Sequence, residues 1–236
     1  MTLAANLAHI RQQIAAACRR ANRPEAEVAL MAVTKTHSAE VVLEAYAAGV
    51  RLFGENRVQE WQAKSPALIH LAGAEFHLIG PLQSNKTARA AELFHAIDAV
   101  DSLKIATRLD AAARALDKRL PILIEVKLSH EESKHGVAPA ELPTLLAGLA
   151  PLEGLILTGL MTVPPWSEDP ESARPCFREL RSLRDDSLAA CPTLTQLSMG
   201  MSNDFGVAIE EGSTCIRIGT ALFGIRQYAE GALRSE

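Results

Sequence analysis

Eight short apolar runs alternate with helical patterns along the chain, and this alternation restricts the fold more than any other feature. The runs cover residues 28–34, 50–53, 76–79, 96–100, 121–128, 155–163, 194–198 and 214–218. Helical spacing fills the intervals at 38–48, from 56 onward, 84–94, 101–118, 139–150, 170–190 and 204–210, with a last segment after Gly219-Thr220. Ser38 is a good N-cap residue for the first of these and Gly49 ends it, while Asp101 or Ser102 caps the fourth. Short strands that strictly alternate with helices pair in parallel through right-handed crossovers. Eight such units predict an α/β fold closed into a single (β/α)8 TIM barrel, which leaves no edge strand. An open doubly wound sheet is the alternative, but no G-x-G-x-x-G follows the first run, so its dinucleotide-binding version loses support.

One domain is expected over residues 1–236, with an extra helix at about 3–21 ahead of the first strand. Leu3, Leu7, Ile10 and Ile14 recur at helical spacing there. Residues 1–23 also carry four arginines and no acidic residue, the composition of a mitochondrial transit peptide. The periodicity favours an amphipathic first helix. Apolar residues at 48% and charged residues at 22% suit a soluble globular chain with one sizeable core. A net charge of −4 without any basic block argues against nucleic-acid or membrane-surface partners, and no apolar run is long enough to span a bilayer. Cys18, Cys176, Cys191 and Cys215 lack the spacing of a zinc or redox motif. They read as reduced thiols of a cytoplasmic protein, mostly core filler.

In parallel barrels chemistry gathers at the C-terminal ends of the strands. Lys35 ends the first run, and alternation puts Met31, Val33 and Lys35 on one face. If that face looks inward, Lys35 is an inward lysine at the mouth; otherwise it is a solvated lysine at a strand end. The second and third runs end in polar clusters, Gly54-Glu55-Asn56-Arg57 and Gly80 through Lys86. Turn chemistry and helix capping account for most of these residues, with Asn56 and Lys86 the candidate ligands. After the seventh run comes Ser198-Met199-Gly200-Met201-Ser202-Asn203-Asp204, and after the eighth Gly219-Thr220. Barrels often hold phosphate at these two loops, because glycines admit close backbone approach and hydroxyls and N–H groups donate to an anion. Either loop alone is unspecific, and Ser202 could simply cap the next helix. Together they predict a phosphate site.

Arg217 interrupts an apolar strand opposite Ile216 and Ile218, and so faces inward if those isoleucines pack on helices. A buried guanidinium cannot lose its charge and needs partners. It forms either a structural ion pair or a hydrogen bond to a ligand, and the adjoining phosphate loops favour the ligand. A lysine, a phosphate site and an arginine at one mouth suit a phosphorylated aldehyde held as a Schiff base. Pyridoxal 5′-phosphate is one such aldehyde. Sugar-phosphate aldolases also use barrel lysines, so residue types leave both readings open.

Ordered segments carry a resemblance over nearly the whole chain. They are Ala32-Val33-Thr34-Lys35-Thr36, Phe53-Gly54-Glu55-Asn56, His77 through Lys86, Glu131-Glu132-Ser133-Lys134-His135-Gly136, Gly159-Leu160-Met161-Thr162, Leu197 through Ser202, and Arg217 through Gly224. On these residues the chain resembles the pyridoxal phosphate homeostasis protein family, related to the fold type III barrel domain of alanine racemase. The resemblance implies a covalent aldimine of pyridoxal 5′-phosphate on Lys35 and Arg217 facing the pyridine nitrogen. It further implies Ser202, Gly219 and Thr220 on the phosphate, with Ser198 and Asn56 lining the site. His135 departs from many relatives, a change expected to spare cofactor binding and to leave the 131–136 loop for another contact.

The family reading leads to a protein of intracellular pyridoxal phosphate homeostasis. It would store or deliver the cofactor, affect vitamin B6 and amino-acid metabolism, and act on apo enzymes as a monomer rather than as an enzyme. The alternative is an amino-acid racemase or other low-activity enzyme using the same cofactor; a Schiff-base aldolase is a third reading. A racemase needs a second base on the opposite face of the cofactor, within hydrogen-bond reach. In alanine racemase an added β domain supplies it, and the dozen residues after 219–224 fall short of the ~50 that a domain takes. Tyr228 reads as a terminal surface aromatic. Arg217 beside the pyridine nitrogen would disfavour a proton there and weaken the ring as an electron sink, which is compatible with racemisation but unhelpful for stabilising full carbanions in broader amino-acid chemistry.

Overall fold

A computed structural model describes residues 2–129 and 135–224. Eight parallel strands close into a barrel in sequence order. They are Ala29–Val33 (β1), Leu52–Glu55 (β2), Glu75–Leu78 (β3), Ala96–Val100 (β4), Leu120–Glu125 (β5), Leu155–Met161 (β6), Gln196–Ser198 (β7) and Cys215–Ile218 (β8). β1 pairs with both β2 and β8, which closes the ring. Around it lie Leu3–Arg20 (α1), Ala39–Ala47 (α2), Val58–Lys64 (α3), Thr87–Leu93 (α4), Leu103–Ala115 (α5), Leu142–Leu149 (α6), Arg174–Ser187 (α7), Phe205–Glu210 (α8) and Thr220–Phe223 (α9). The barrel expected from the alternation is therefore the observed fold, and each apolar run overlaps one strand.

The departures are local. β5 ends at Glu125, and beyond it Val126 still donates to the Met161 carbonyl of β6 while forming an isolated parallel bridge with Val137. The helical stretches at 84–94, 139–150 and 170–190 each open with a 3₁₀ turn before the α-helix. Ser102 caps α5, its hydroxyl accepting from the Ile105 N–H, whereas Ser38 makes no side-chain capping bond to α2.

Apolar packing divides into two layers. Between sheet and helices, Trp61 stacks on Phe76 at 4.1 Å and Phe76 on Phe53 at 5.1 Å, all three buried. Within the barrel, Ala99, Leu123 and Met161 form a separate plug. Gly54 shows how crowded the interior is: a Cβ there would lie 2.8 Å from both Met31 Sδ and Ile79 Cδ1. In register with Gly54, His77 of β3 pairs with Asp98 of β4, with Nδ1 3.1 Å from Oδ1.

α1 buries Leu3, Leu7, Ile10 and Ile14 as its periodicity requires, and packs on α8 and α9. Asn6 donates to the Leu222 carbonyl at 2.9 Å, and Arg23 donates to the Ile209 and Ser213 carbonyls at 2.8 and 3.0 Å. The first helix thus braces the last two βα units, which carry two of the loops at the mouth. Among the described residues no helix is long and apolar enough to cross a membrane.

Candidate functional site

A cavity of about 770 Å³ opens at the C-terminal mouth of the barrel. Six of the seven expected site residues line it: Lys35, Asn56, Ser202, Arg217, Gly219 and Thr220. They come from the ends of β1, β2 and β8 and from the loop after β7. Ser198 does not line it. It is fully buried behind Arg217 and supports that side chain. Lys86 also lies elsewhere, closing the 3₁₀ turn ahead of α4.

Arg217 is 4% exposed. Ile216 and Ile218 pack in the outer core, so alternation turns Arg217 inward. One terminal nitrogen donates to both the carbonyl and the hydroxyl of Ser198, each at 2.7 Å, and the other to the Thr162 carbonyl at 2.7 Å. These acceptors are neutral, so among the described residues no carboxylate pairs directly with the positive charge, and Arg217 lines the cavity. Asp98, Glu125 and Asp204 act on it from further away. Glu125 lines the same cavity; burial raises its carboxyl above the usual range and Arg217 opposes that rise.

The loop after β7 is held from within. Asp204 Oδ1 accepts the Met201 N–H at 2.6 Å, and Asn203 donates to the Ser167 carbonyl at 2.9 Å, tying this loop to the one after β6. Gly200 has φ +96°, and a Cβ on it would sit 2.5 Å from Ala208 Cβ; only glycine suits that backbone. Ser202 does not cap α8, whose N-cap is Asp204. Its hydroxyl accepts the Ala221 N–H at 3.1 Å instead, joining the loop after β7 to the start of α9.

Lys35 follows Thr34, which is fully buried. Thr34 points away from the cavity, donating its hydroxyl to Glu55 Oε1 at 2.5 Å. Thr36 has φ +65° and its N–H donates to the Glu60 carboxylate. Lys35 is thus set in a sharp turn anchored on both sides.

The sequence reading missed Glu125 and Lys127 of the cavity wall, along with His37, His135 and Trp166. Alternation could have found the first two, because Leu123, Glu125 and Lys127 share one face of an otherwise apolar run. Trp166 is 75% exposed at the rim. Residues 131–134 of the loop singled out in the sequence, and Tyr228, lie outside the described residues.

Comparison with known proteins agrees with this architecture. The chain matches the family model described as alanine racemase, N-terminal domain, over residues 5–227, which defines its class as a racemase-type barrel. An alanine racemase of Clostridium difficile 630 superposes with a TM-score of 0.76 at 16% identity, over 96% of this chain and 57% of that one, and so shares the fold. Higher similarity is found with the pyridoxal phosphate homeostasis protein of Pasteurella multocida, 42% identical over 98% of this chain and 100% of the relative. The protein of the same name from Escherichia coli K12 is 43% identical, covering 97% and 98%. PipY of Synechococcus elongatus PCC7942, solved with pyridoxal phosphate bound, superposes with a TM-score of 0.84 at 40% identity, over 94% of this chain and 100% of that one. The chain belongs to the pyridoxal phosphate homeostasis protein family.

Proposed function

We propose that this protein binds pyridoxal 5′-phosphate through a Schiff base on Lys35 and acts in intracellular homeostasis of that cofactor, storing it or delivering it. The observation that carries the reading is the convergence of Lys35, the Arg217 guanidinium and the Ser202, Gly219 and Thr220 loops on one cavity. The donor set fits the group: an amine for the aldehyde, hydroxyls and backbone for the phosphate, and a guanidinium for the ring. Pockets of ~300–1,000 Å³ take drug-sized ligands, and the cavity here is ample for this smaller one.

When bound, the cofactor supplies an aldehyde and an electron-accepting ring. The chain's residues do the rest. Lys35 would hold the aldehyde carbon through Nζ, with the carbonyl oxygen leaving as water. Arg217, which can donate but not accept, would serve the pyridine nitrogen and discourage a proton there. Ser202, Gly219 and Thr220 would hold the phosphate and Asn56 would line the ring, while Ser198 holds Arg217 in place. The whole chain serves as one cofactor-binding unit, a cytoplasmic monomer whose recipients are apo enzymes of vitamin B6 and amino-acid metabolism. The second reading is a racemase, which would need a base on the face of the cofactor opposite Lys35; His37, Glu125 and His135 line the same cavity.

Borohydride reduction of protein incubated with pyridoxal phosphate, followed by peptide mapping, tests the anchor. The adduct is expected on Lys35, and an adduct found only elsewhere refutes the assignment. Incubation with single amino-acid stereoisomers tests the carrier role. Sustained racemisation that disappears in Lys35→Ala overturns it.

A further inference from the structure

We infer that Lys64, which lies outside the cavity, is the positioning residue that fixes Lys35 for its ligand, acting through the backbone turn at Thr34–His37. This inference rests on the reading of Lys35 as the anchor. The ammonium of Lys64 sits at the C-terminal end of α3, only 10% exposed, and gathers four acceptors. It donates to the Thr34 carbonyl at 2.8 Å and to the His37 carbonyl at 3.1 Å. It also lies 2.8 Å from Glu55 Oε1 and 3.4 Å from Glu60 Oε1. The first two contacts bracket Lys35 and Thr36 in the chain, so a single cation staples both ends of the turn that carries the anchor.

The turn needs such a staple. Thr36 adopts φ +65°, a conformation that non-glycine residues rarely take. Its N–H is held by Glu60, and Glu60 is held in turn by Lys64 one helical turn on. The His37 N–H closes back on the Thr34 carbonyl at 3.1 Å. Thr34 is fastened a second time through its hydroxyl to Glu55.

Glu55 marks the cluster as a device for geometry. It is fully buried, and among the described residues its Oε2 has no hydrogen-bond partner. Buried ion pairs with incomplete hydrogen bonding add little to stability over apolar packing, and their best-attested use is to fix one arrangement over others. The arrangement fixed here is the exit direction of the Lys35 side chain. An aldehyde anchor depends on direction, because its nitrogen must meet a ligand already located by phosphate and ring contacts at the far side of the cavity.

The test compares wild type with Lys64→Met, Lys64→Arg, Glu60→Gln and Lys35→Ala, using pyridoxal phosphate as probe. Lys64→Met is expected to release the probe about tenfold faster, the size of one lost charge-assisted hydrogen bond. It should also show a weaker visible Schiff-base band at equal total occupancy. Lys64→Arg should recover most of both. In cofactor-free protein the Thr36 and His37 amides should exchange faster in Lys64→Met, a readout independent of loading. A merely structural role lowers the melting temperature but leaves band and release rate unchanged in the folded fraction, and that result overturns the inference. Should Lys64→Met not fold, Glu60→Gln decides, since it keeps the Lys64–Glu55 pair and weakens only the contacts of Glu60 itself, with the Thr36 N–H and with Lys64. A wild-type band and release rate in Glu60→Gln then refute the staple. The anchor fails separately: if Lys35→Ala matches wild type in band and release, both readings fall. A Lys35-dependent band that no Lys64 or Glu60 variant alters removes only the staple.

Discussion

Among the described residues, Ser198 accepts two of the three hydrogen bonds that the Arg217 guanidinium donates, one on its carbonyl and one on its hydroxyl, each at 2.7 Å. The hydroxyl contact is the part a substitution can remove. Ser198→Ala is expected to cost about 1 kcal/mol of stability, the usual net worth of such a bond with some addition for the charged donor. It should also loosen cofactor binding severalfold, because the guanidinium gains freedom to tilt. Urea denaturation and equilibrium titration with pyridoxal phosphate measure the two effects. An unchanged affinity in Ser198→Ala means that the carbonyl contacts alone set the arginine.

The His77–Asp98 pair predicts a stability that declines in alkali. Burial works against a charge on His77, but the charge and hydrogen bond of Asp98, helped by Glu75, outweigh it and push its pKa up to about 9. The unfolded value is 6.5. A group raised on folding stabilises fully below its unfolded pKa and loses that contribution as pH climbs through the folded one. The window here runs from 6.5 to about 9, with a contribution on the order of 3 kcal/mol by linkage. Chemical denaturation at steps across that window should show wild-type stability falling. His77→Gln should lack that fall, and a parallel decline in the variant would assign it to another group.

Gly200 offers a purely steric prediction. Gly200→Ala must accept φ +96° and place its methyl 2.5 Å from Ala208 Cβ. A loss of about 2 kcal/mol is expected from backbone and overpacking together. The loop after β7 would shift with it, so cofactor affinity should fall as well. Calorimetry and titration of the same sample check both; retention of full affinity would separate this loop from the phosphate.

The thiols should divide by burial. Cys215 is buried inside the barrel wall, and burial pushes its pKa up to about 12. Cys18 is buried and also raised, whereas Cys176 and Cys191 are partly exposed. A thiol-specific reagent at pH 8 should therefore label Cys176 and Cys191 first in native protein, with Cys18 and Cys215 reacting only on unfolding. Peptide mapping after a timed pulse decides this, and early labelling of Cys215 would indicate opening of β8.

Much of the architecture was legible because strands and helices alternate with distinct periods. The register of β8 follows from Ile216, Arg217 and Ile218 alone, and α1 from four apolar positions. Lys35 was placed by the same parity argument. Parity also explains the error at Ser198. It does face inward, but the longer Arg217 side chain lies over it, and side-chain length is not part of a periodic pattern. The Lys64 cluster was invisible for a different reason. Its helix spacing advertises only a Glu60–Lys64 pair, while its principal acceptors are backbone carbonyls on the preceding βα unit. Such contacts exist only once the barrel has brought α3 against the end of β1. Glu125 and Lys127 are readable by the same parity, within an otherwise apolar run.

The plug formed by Ala99, Leu123 and Met161 carries a further consequence. It fills barrel interior apart from the residues that line the cavity, and among the described residues the exposed Trp166 stands at the rim of the mouth. Under the proposed function, a cofactor that enters and leaves by that mouth cannot load and unload at once. A recipient would then have to come to the same threshold the cofactor crossed on entry, and free cofactor and recipient would compete there for access.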